Sequence, residues 1–459
     1  MKRIRQETTG EKVYRYRGVI FVIAVPFALI CIVLGLMPRF SDPNSPLTAP
    51  VRRYDPENAE GERYAVVFDA GSTGSRVHVF RFNSMMDLVQ ISGQIEIFEQ
   101  RKPGLSSFHD NPQAGAESLR PLFDVAKAAV PEELQPSTPL FIGATAGLRM
   151  LPGDEAENLL TEVRKLAHEY SFSFKDEDCK IIDGTDEGVY IWVTVNSLLG
   201  NLGKSYDETA GVVDLGGGSV QMTYAVSDEV AAKAPEGFIR SLNLRGHAYH
   251  VYVHSYLSYG LMAARAEVLK AGRVASSCIS EGFRGNYTYN NKVYPAFSEE
   301  NGSDVRKCTR IATQALRTEV ACDYDKCTFG GVWAGASSAG GPKILYLASY
   351  FWDRARQLGI ITDMDAKQVD LKLNQFSRAS REVCDTPFAE MGTKFPNTEP
   401  KDRPFLCLDI CFCVSLLREG FGLPEGKDVT VIKQIEYEGK DVEVAWSLGA
   451  AIEALGAKR

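Results

Sequence analysis

Asp69-Ala-Gly-Ser-Thr-Gly-Ser75 runs straight out of the apolar segment Tyr64-Ala-Val-Val-Phe68 and into the alternating stretch Arg76-Val-His-Val-Phe-Arg-Phe82. The same design returns much later, where Asp214-Leu-Gly-Gly-Gly-Ser219 follows Gly211-Val-Val213 and precedes Val220-Gln-Met-Thr-Tyr224. Each reads as strand, tight turn, strand, because apolar and alternating runs flank the Gly and Ser residues that break them. A turn of glycines and small hydroxyl residues lets backbone N–H groups and Ser or Thr hydroxyls close on phosphate oxygens, while a leading Asp can hold a divalent cation through its water shell. One such turn is a weak signal. Two describe a cleft in which each half contributes an acid and a phosphate-binding hairpin, gripping a nucleotide's phosphate chain from both sides.

A chain of 459 residues is expected to form two or three domains at roughly 100–200 residues each. The hydrophobic share of 44% is enough to fill sizeable cores. The net charge of −8 is mildly acidic and gives no support for a nucleic-acid partner, which would call for a basic face.

Residues 18–37 carry no charge and are long enough to cross a bilayer, since a spanning helix needs about 20 apolar residues. Lys2, Arg3, Arg5, Lys12, Arg15 and Arg17 precede them against Glu7 and Glu11, so the positive-inside rule puts tail 1–17 in the cytosol. The rest of the chain then lies in the Golgi or endoplasmic reticulum lumen or outside the cell, as a single-pass type II membrane protein. The competing reading is a cleaved signal peptide, whose apolar core is usually shorter, about 7–15 residues. Residues 38–61 read as a stalk, with 41–56 rich in Pro, Ser, Asn and Asp and free of helical periodicity.

Cysteine usage agrees with that topology. Cys31 lies in the apolar span, and Cys278, Cys308, Cys322, Cys327, Cys384, Cys407, Cys411 and Cys413 all fall in the C-terminal half. In a lumenal compartment this clustering argues for disulfides. Cys322 and Cys327 could close a small loop, Cys278 and Cys308 a larger one, and Cys384 could reach Cys407; free buried thiols and a zinc site are the alternatives. The sequons Asn286-Tyr-Thr288 and Asn301-Gly-Ser303 suit glycosylation in the same compartment, though such triplets also arise by chance.

Two segments between the hairpins carry further chemistry. Leu140-Phe-Ile-Gly-Ala-Thr-Ala-Gly-Leu-Arg149 reads as a strand ending in a Thr/Gly turn, with Arg149 opening the next helix. Ile181-Ile-Asp-Gly-Thr-Asp-Glu-Gly-Val-Tyr-Ile-Trp-Val-Thr-Val-Asn196 reads as a short strand and then a helix capped by Asp183 or Thr185. Glu187 then sits in the first helical turn, where the helix dipole favours an ionised carboxylate of the kind that accepts a proton from water. Plain helix capping predicts an acid there equally well.

Taken together, Val67-Phe-Asp-Ala-Gly-Ser-Thr-Gly-Ser-Arg76, Gly143-Ala-Thr-Ala-Gly-Leu-Arg149, Asp186-Glu-Gly-Val-Tyr-Ile-Trp-Val-Thr-Val-Asn196, Val213-Asp-Leu-Gly-Gly-Gly-Ser-Val-Gln221 and Ala445-Trp-Ser-Leu-Gly-Ala-Ala451 resemble, in order, the motifs of the apyrase or ecto-nucleoside triphosphate diphosphohydrolase family. That family lies within the actin, heat-shock-protein and sugar-kinase superfamily. With Val251-Tyr-Val-His-Ser-Tyr-Leu-Ser-Tyr-Gly-Leu-Met262, the arrangement looks most like the plant apyrases. The resemblance implies hydrolysis of nucleoside tri- or diphosphates by in-line attack of water. It implies that Glu187 polarises the water and that Asp69 and Asp214 hold Ca²⁺ or Mg²⁺. Ser72, Thr73, Gly74, Ser75 and Arg76, with Gly216, Gly217, Gly218 and Ser219, would bind the phosphates, and Thr145 and Gln221 would flank the water and metal. Tyr350, Phe351 and Trp352 lie where similar proteins stack an aromatic on the nucleobase; core packing explains each of them as well.

The resemblance also implies an α/β architecture of two ribonuclease-H-like, actin-like domains. Each would have a mixed sheet flanked by helices, with the active site in the cleft between them. The first domain is expected at 62–205 with the C-terminal helix of 436–459, and the second at 206–435 with a disulfide-rich insertion. The apolar residues of Trp446 to Ala454 read as core. His247, His250 and His254 are expected on one helical face as ordinary hydrogen-bonding groups, with zinc a remote alternative. Two other functions fit the same fold. A kinase or ATP-driven machine is disfavoured by the lumenal topology, and a non-catalytic nucleotide receptor by the presence of all three acids.

Overall fold

In the computed structural model, the described residues are 61–71, 73–272, 275–290, 292–335 and 342–456. The expected anchor 18–37, the stalk to residue 60 and Ser72 lie outside them. Among the described residues no helix is long and apolar enough to cross a membrane.

The first sheet is built from β1 (Arg63–Ala70), β2 (Ser75–Phe82), β3 (Ile97–Arg101), β4 (Leu140–Ala144) and β5 (Cys179–Ile181), in the order β3-β2-β1-β4-β5. The β1–β2 and β2–β3 pairs are antiparallel, and β4 and β5 continue parallel to β1. In the second half come β6 (Gly211–Leu215), β7 (Ser219–Val226), β8 (Ile239–Leu244) and β9 (His247–Leu257). A three-stranded sheet follows, formed by β10 (Ala275–Ser276), β11 (Arg284–Tyr289) and β12 (Lys292–Ser298). Next are β13 (Leu345–Ser349), β14 (Gln368–Lys372) and β15 (Asp428–Ile432), and last the hairpin β16 (Gln434–Tyr437) and β17 (Lys440–Glu443).

The seven-stranded sheet runs β14-β15-β13-β6-β7-β9-β8. Its β9-β7-β6-β13-β15 section repeats the first sheet strand for strand, antiparallel on one side of β6 and parallel on the other. Both sheets are therefore mixed and helix-flanked, as expected for an α/β chain, and the two quoted hairpins occupy equivalent places in them.

Alternation along β1 explains the layers. Val66 and Phe68 face an outer core shared with helices Arg120–Ala129 and Glu155–Ala167, whereas Ala65 and Val67 face an inner core. That inner core also takes Val212 of β6 and Tyr249, Val251 and Val253 of β9, so it lies between the sheets. Two helices fill it: Gly184–Leu198, against β6, β7 and β9, and Trp446–Gly456, against β1, β2 and β4. Gly184–Leu198 is apolar nearly all round because it is enclosed on almost every side, and Trp446–Gly456 is enclosed over its first six residues. Thr194 Oγ1 joins them, donating to Ala445 O at 2.8 Å and accepting from Gly449 N at 2.9 Å. The C-terminal helix is thus core, as its spacing suggested.

Two local expectations are corrected. The histidines lie on strand β9, not on a helix: Tyr249, Val251 and Val253 alternate with Tyr252 and Tyr256 toward opposite cores, and this period of two overrides the chance three- and four-residue spacing of His247, His250 and His254. Arg149 closes the one-turn helix Ala146–Arg149 and does not open the next one, because the turn begins directly at Thr145 and ends before Pro152. The disulfides are Cys278–Cys308, Cys322–Cys327 and Cys384–Cys407. Cys179, Cys411 and Cys413 are buried free thiols.

Candidate active site

The two hairpins close in the same way. Gly71 N donates to Gly74 O at 3.1 Å and Gly216 N to Ser219 O at 3.0 Å, so each turn begins two residues after its Asp. In the ladders Asp69 lies opposite Arg76, and Asp214 opposite Gln221. Asp69, Asp214 and Glu187 are all buried, at 8%, 7% and 8% exposure. Gln221, opposite Asp214 in the ladder, reaches Glu187, and the three acids lie near enough for the charges of Asp69 and Asp214 to act on Glu187 and that of Asp69 on Asp214.

Glu187 is placed by the start of its helix. The side chain of Asp183 accepts from Thr185 N at 2.7 Å as the N-cap, and Glu187 follows in the first turn. Arg149 forms an ion pair with Glu187 Oε2, and Gln221 Nε2 lies 3.3 Å from the same oxygen. Gln221 Nε2 also reaches Ser219 Oγ and Ser255 Oγ, both at 2.9 Å. Burial pushes the Glu187 carboxyl up to about 8; Arg149 opposes that shift, while Asp214 and Asp69 add to it. Burial likewise raises Asp214 to about 6, with the Ser349 hydrogen bond opposing and Asp69 reinforcing. Three buried carboxylates share two guanidinium partners, Arg149 with Glu187 and Arg76 with Asp69 at 2.8 Å.

Three buried oxygens here, Asp69 Oδ1, Ser75 Oγ and Gln221 Oε1, have no hydrogen-bond partner among the described residues. Buried oxygens left over on the two Asp-led hairpins make the all-oxygen donor set that a hard divalent cation and its waters take, so the residues present fit such an ion.

The second turn is oriented by the helix beside it. The first-turn N–H groups of helix Leu261–Ala271 have no acceptor within the helix and turn to the hairpin instead. Leu261 N donates to Gly216 O at 2.9 Å, and Met262 N and Ala263 N each donate to Gly217 O at 3.0 Å, while Ser258 N donates to Gly218 O at 2.8 Å. The carbonyls are drawn to that side, and among the described residues neither the Gly217 nor the Gly218 N–H donates to a backbone carbonyl. A Cβ on Gly218 would meet Ala146 Cβ and Met150 Cε, each at 2.7 Å, so the second hairpin touches the short helix after Thr145 in the first half of the chain. Thr145 stands at the N-cap position of that helix, its carbonyl accepting from Leu148 N and Arg149 N, and is buried.

The sequence matches the GDA1/CD39 (nucleoside phosphatase) family over residues 56–458. The chain belongs to that family. Its relatives include "Probable apyrase 2" of Oryza sativa subsp. japonica, 45% identical and aligned over 98% of this chain and 97% of the relative. "Apyrase" of Solanum tuberosum is 44% identical over 93% of this chain and 95% of its own length. Among solved structures, a nucleoside triphosphate hydrolase from Neospora caninum superposes with a TM-score of 0.60 at 18% identity, covering 87% of this chain and 93% of that one, which marks a shared fold.

In this GDA1/CD39 family member the three aromatic candidates separate. Phe351 and Trp352, at 0% and 3% exposure, are core side chains with no ring face open to a base, because the helix they start presses that side onto the second sheet. Tyr350 is half-buried, and its phenol faces the Thr73 hydroxyl across the two halves of the chain. Two participants escaped the sequence reading. Arg149 lay inside a quoted motif but was given no role, and Ser349, whose Oγ donates to Asp214 Oδ1 at 2.5 Å, is an ordinary strand-end serine with no local signature.

Proposed function

We propose that this protein is an apyrase, hydrolysing nucleoside tri- and diphosphates to the monophosphate and phosphate by in-line attack of water. The observation that carries the reading is the convergence of three buried carboxylates, two from equivalent hairpins and one from the helix beneath them. Glu187 takes the proton from the attacking water, and Gln221 and Arg149 hold its carboxylate in place. Asp69 and Asp214 would hold a Ca²⁺ or Mg²⁺ ion through waters, and that ion would offset the charge of the phosphates and of the acids themselves. Thr73, Gly74, Ser75 and Arg76 take one side of the phosphate chain, with Ser72 part of the same turn by sequence; Gly216, Gly217, Gly218 and Ser219 take the other. Thr145 closes the group from the first half.

Phosphoryl transfer asks for positioning and charge neutralisation rather than covalent chemistry, and these residues supply both. Tyr350 would lie against the nucleobase, and since a π-face accepts any base, broad nucleotide use follows. The doubled strand order supports two ribonuclease-H-like lobes, 62–205 with the C-terminal helix and 206–435, with catalysis in the cleft between them. The apolar run 18–37 behind its basic tail, the three disulfides and the exposed sequon residues Asn286 and Asn301 support an N-terminally anchored, glycosylated enzyme facing the Golgi or endoplasmic reticulum lumen or the exterior.

Phosphate release from ATP, ADP, GDP and UDP, with and without excess chelator, tests this reading. Release that needs the divalent ion and goes to water supports it. Undiminished release in chelator, or transfer to an added acceptor alone, overturns it.

A further inference from the structure

Asp409 is completely buried, and two arginines converge on it from two other helices. Arg265 Nε and an Arg265 terminal nitrogen meet its two oxygens at 2.8 and 2.7 Å, a bidentate pair, and Arg354 Nε lies 2.8 Å from Oδ2. The other terminal nitrogen of Arg265 reaches Asp402 Oδ1 at 2.8 Å, and Arg354 also bonds Gln357. Arg265 lies over the Phe405 ring at 4.8 Å, and Arg354 over the Tyr350 ring at 5.6 Å. Two guanidinium groups and two carboxylates leave the cluster neutral.

A buried ion group of this kind is weak evidence for stability, because well-packed apolar residues of similar volume often serve a core as well or better. What it does supply is direction, since planar forks hold their partners in one geometry. The three helices joined here are informative. Arg265 belongs to Leu261–Ala271, whose first N–H groups hold the Gly216 and Gly217 carbonyls. Arg354 belongs to Tyr350–Gln357, the helix that follows Ser349, the donor to Asp214. Asp409 belongs to Leu406–Ser415, and the Cys384–Cys407 bond ties the segment bearing it to helix Asn374–Cys384.

We propose that Asp409 is a positioning residue for phosphate hydrolysis: it fixes to one buried anchor the helix that holds the second phosphate turn and the helix that follows Ser349, the donor to Asp214. This deepens the functional reading above and rests on it. The Asp409 side chain lies in the core beneath these helices, and its influence on the reacting atoms runs through Arg265 to the glycine turn and through Arg354 to Ser349 and Tyr350.

The test compares the full-length parent with Asp409→Asn and Arg354→Lys in kcat, in the divalent-ion concentration giving half-maximal rate, in Mn²⁺ binding without nucleotide, and in melting temperature. Asp409→Asn is expected to lower kcat and weaken Mn²⁺ binding about tenfold each, the scale of removing a group that orients a metal site from behind. A folded Asp409→Asn chain with parental kcat and parental Mn²⁺ binding overturns the proposal. If Asp409→Asn does not fold, Arg354→Lys decides. It keeps the charge and the Arg265 pair but withdraws the guanidinium nitrogen that stands beside Asp409 Oδ2, and parental kcat and Mn²⁺ binding there overturn the proposal equally. The Mn²⁺ titration needs no turnover, so a parent that releases no phosphate from any nucleotide would contradict the functional reading and still leave Asp409 judged.

Discussion

Ser349 donates its hydroxyl to Asp214 Oδ1 from a backbone held at φ 60°, a conformation that a residue with a Cβ seldom adopts. Holding such a backbone costs on the order of 1–3 kcal/mol, and strain of this sort persists where the surroundings over-determine it. Here strand β13, which pairs in parallel with β6, ends in the strained residue and the helix Tyr350–Gln357 begins at once, so the turn aims the hydroxyl at the acid. Burial raises the Asp214 carboxyl to about 6 and Ser349 opposes that rise.

Replacing Ser349 with Ala therefore lets the Asp214 carboxyl move up and leaves one of its oxygens without its donor. Divalent-ion affinity is expected to fall about ten- to a hundredfold, from a charge-assisted hydrogen bond worth about 1.5–3 kcal/mol. Initial rate against ion concentration at fixed nucleotide measures this. A curve that superposes on the parent's contradicts the role given to Ser349.

A second expectation concerns pH. The Glu187 carboxyl, pushed to about 8 by burial and by Asp214 and Asp69, is restrained by Arg149. A base works only when deprotonated, so turnover falls as pH drops through its pKa. With a cation neutralising Asp69 and Asp214, their upward push is cancelled, and the acid limb of the ion-loaded enzyme lies below 8. Arg149→Met removes the restraint and moves the limb to higher pH by about one unit or more. A profile of kcat against pH shows this directly; a limb that stays in place, or moves to lower pH, contradicts it.

Stability gives a third expectation. A Cβ on Gly449 would stand 2.1 Å from Tyr190 O, where the C-terminal helix crosses the helix bearing Glu187. Backbone cannot yield as a flexible side chain would. Gly449→Ala should thus destabilise the fold by about 1–3 kcal/mol as an overpacking change, read by chemical denaturation. An unchanged midpoint would mean that the two helices are free to part.

Much of this was legible because it is local. The two Asp-led turns, the strands on either side and the Asp183 cap ahead of Glu187 are each written in a few consecutive residues, and the strand order that repeats around β1 and β6 follows from them. The cysteine pairs were open to reading because each partner lies within 30 residues of the other. What escaped is non-local or ambiguous in period. Ser349 reaches Asp214 across 135 residues, and Arg265 reaches Asp409 across 144, with nothing in either neighbourhood to mark the contact. Strand β9 misled because its histidines fall at helical spacing while its tyrosines and valines alternate, and the larger apolar burial decided the outcome. Phe351 and Trp352 carry the same letters whether they meet a base or a core, and only packing distinguishes the two.

The most direct measurement is a pair of readings on one Glu187→Gln chain: nucleotide binding by titration and phosphate release in a single turnover, with divalent ion present. The amide keeps the shape and the contacts that place the side chain but cannot take a proton from water. Binding close to the parent's, with release slowed at least 10²–10⁴-fold, the usual share of a positioned base, is the predicted result. Release at the parental rate would contradict the assignment of Glu187 as the base and the mechanism built around it.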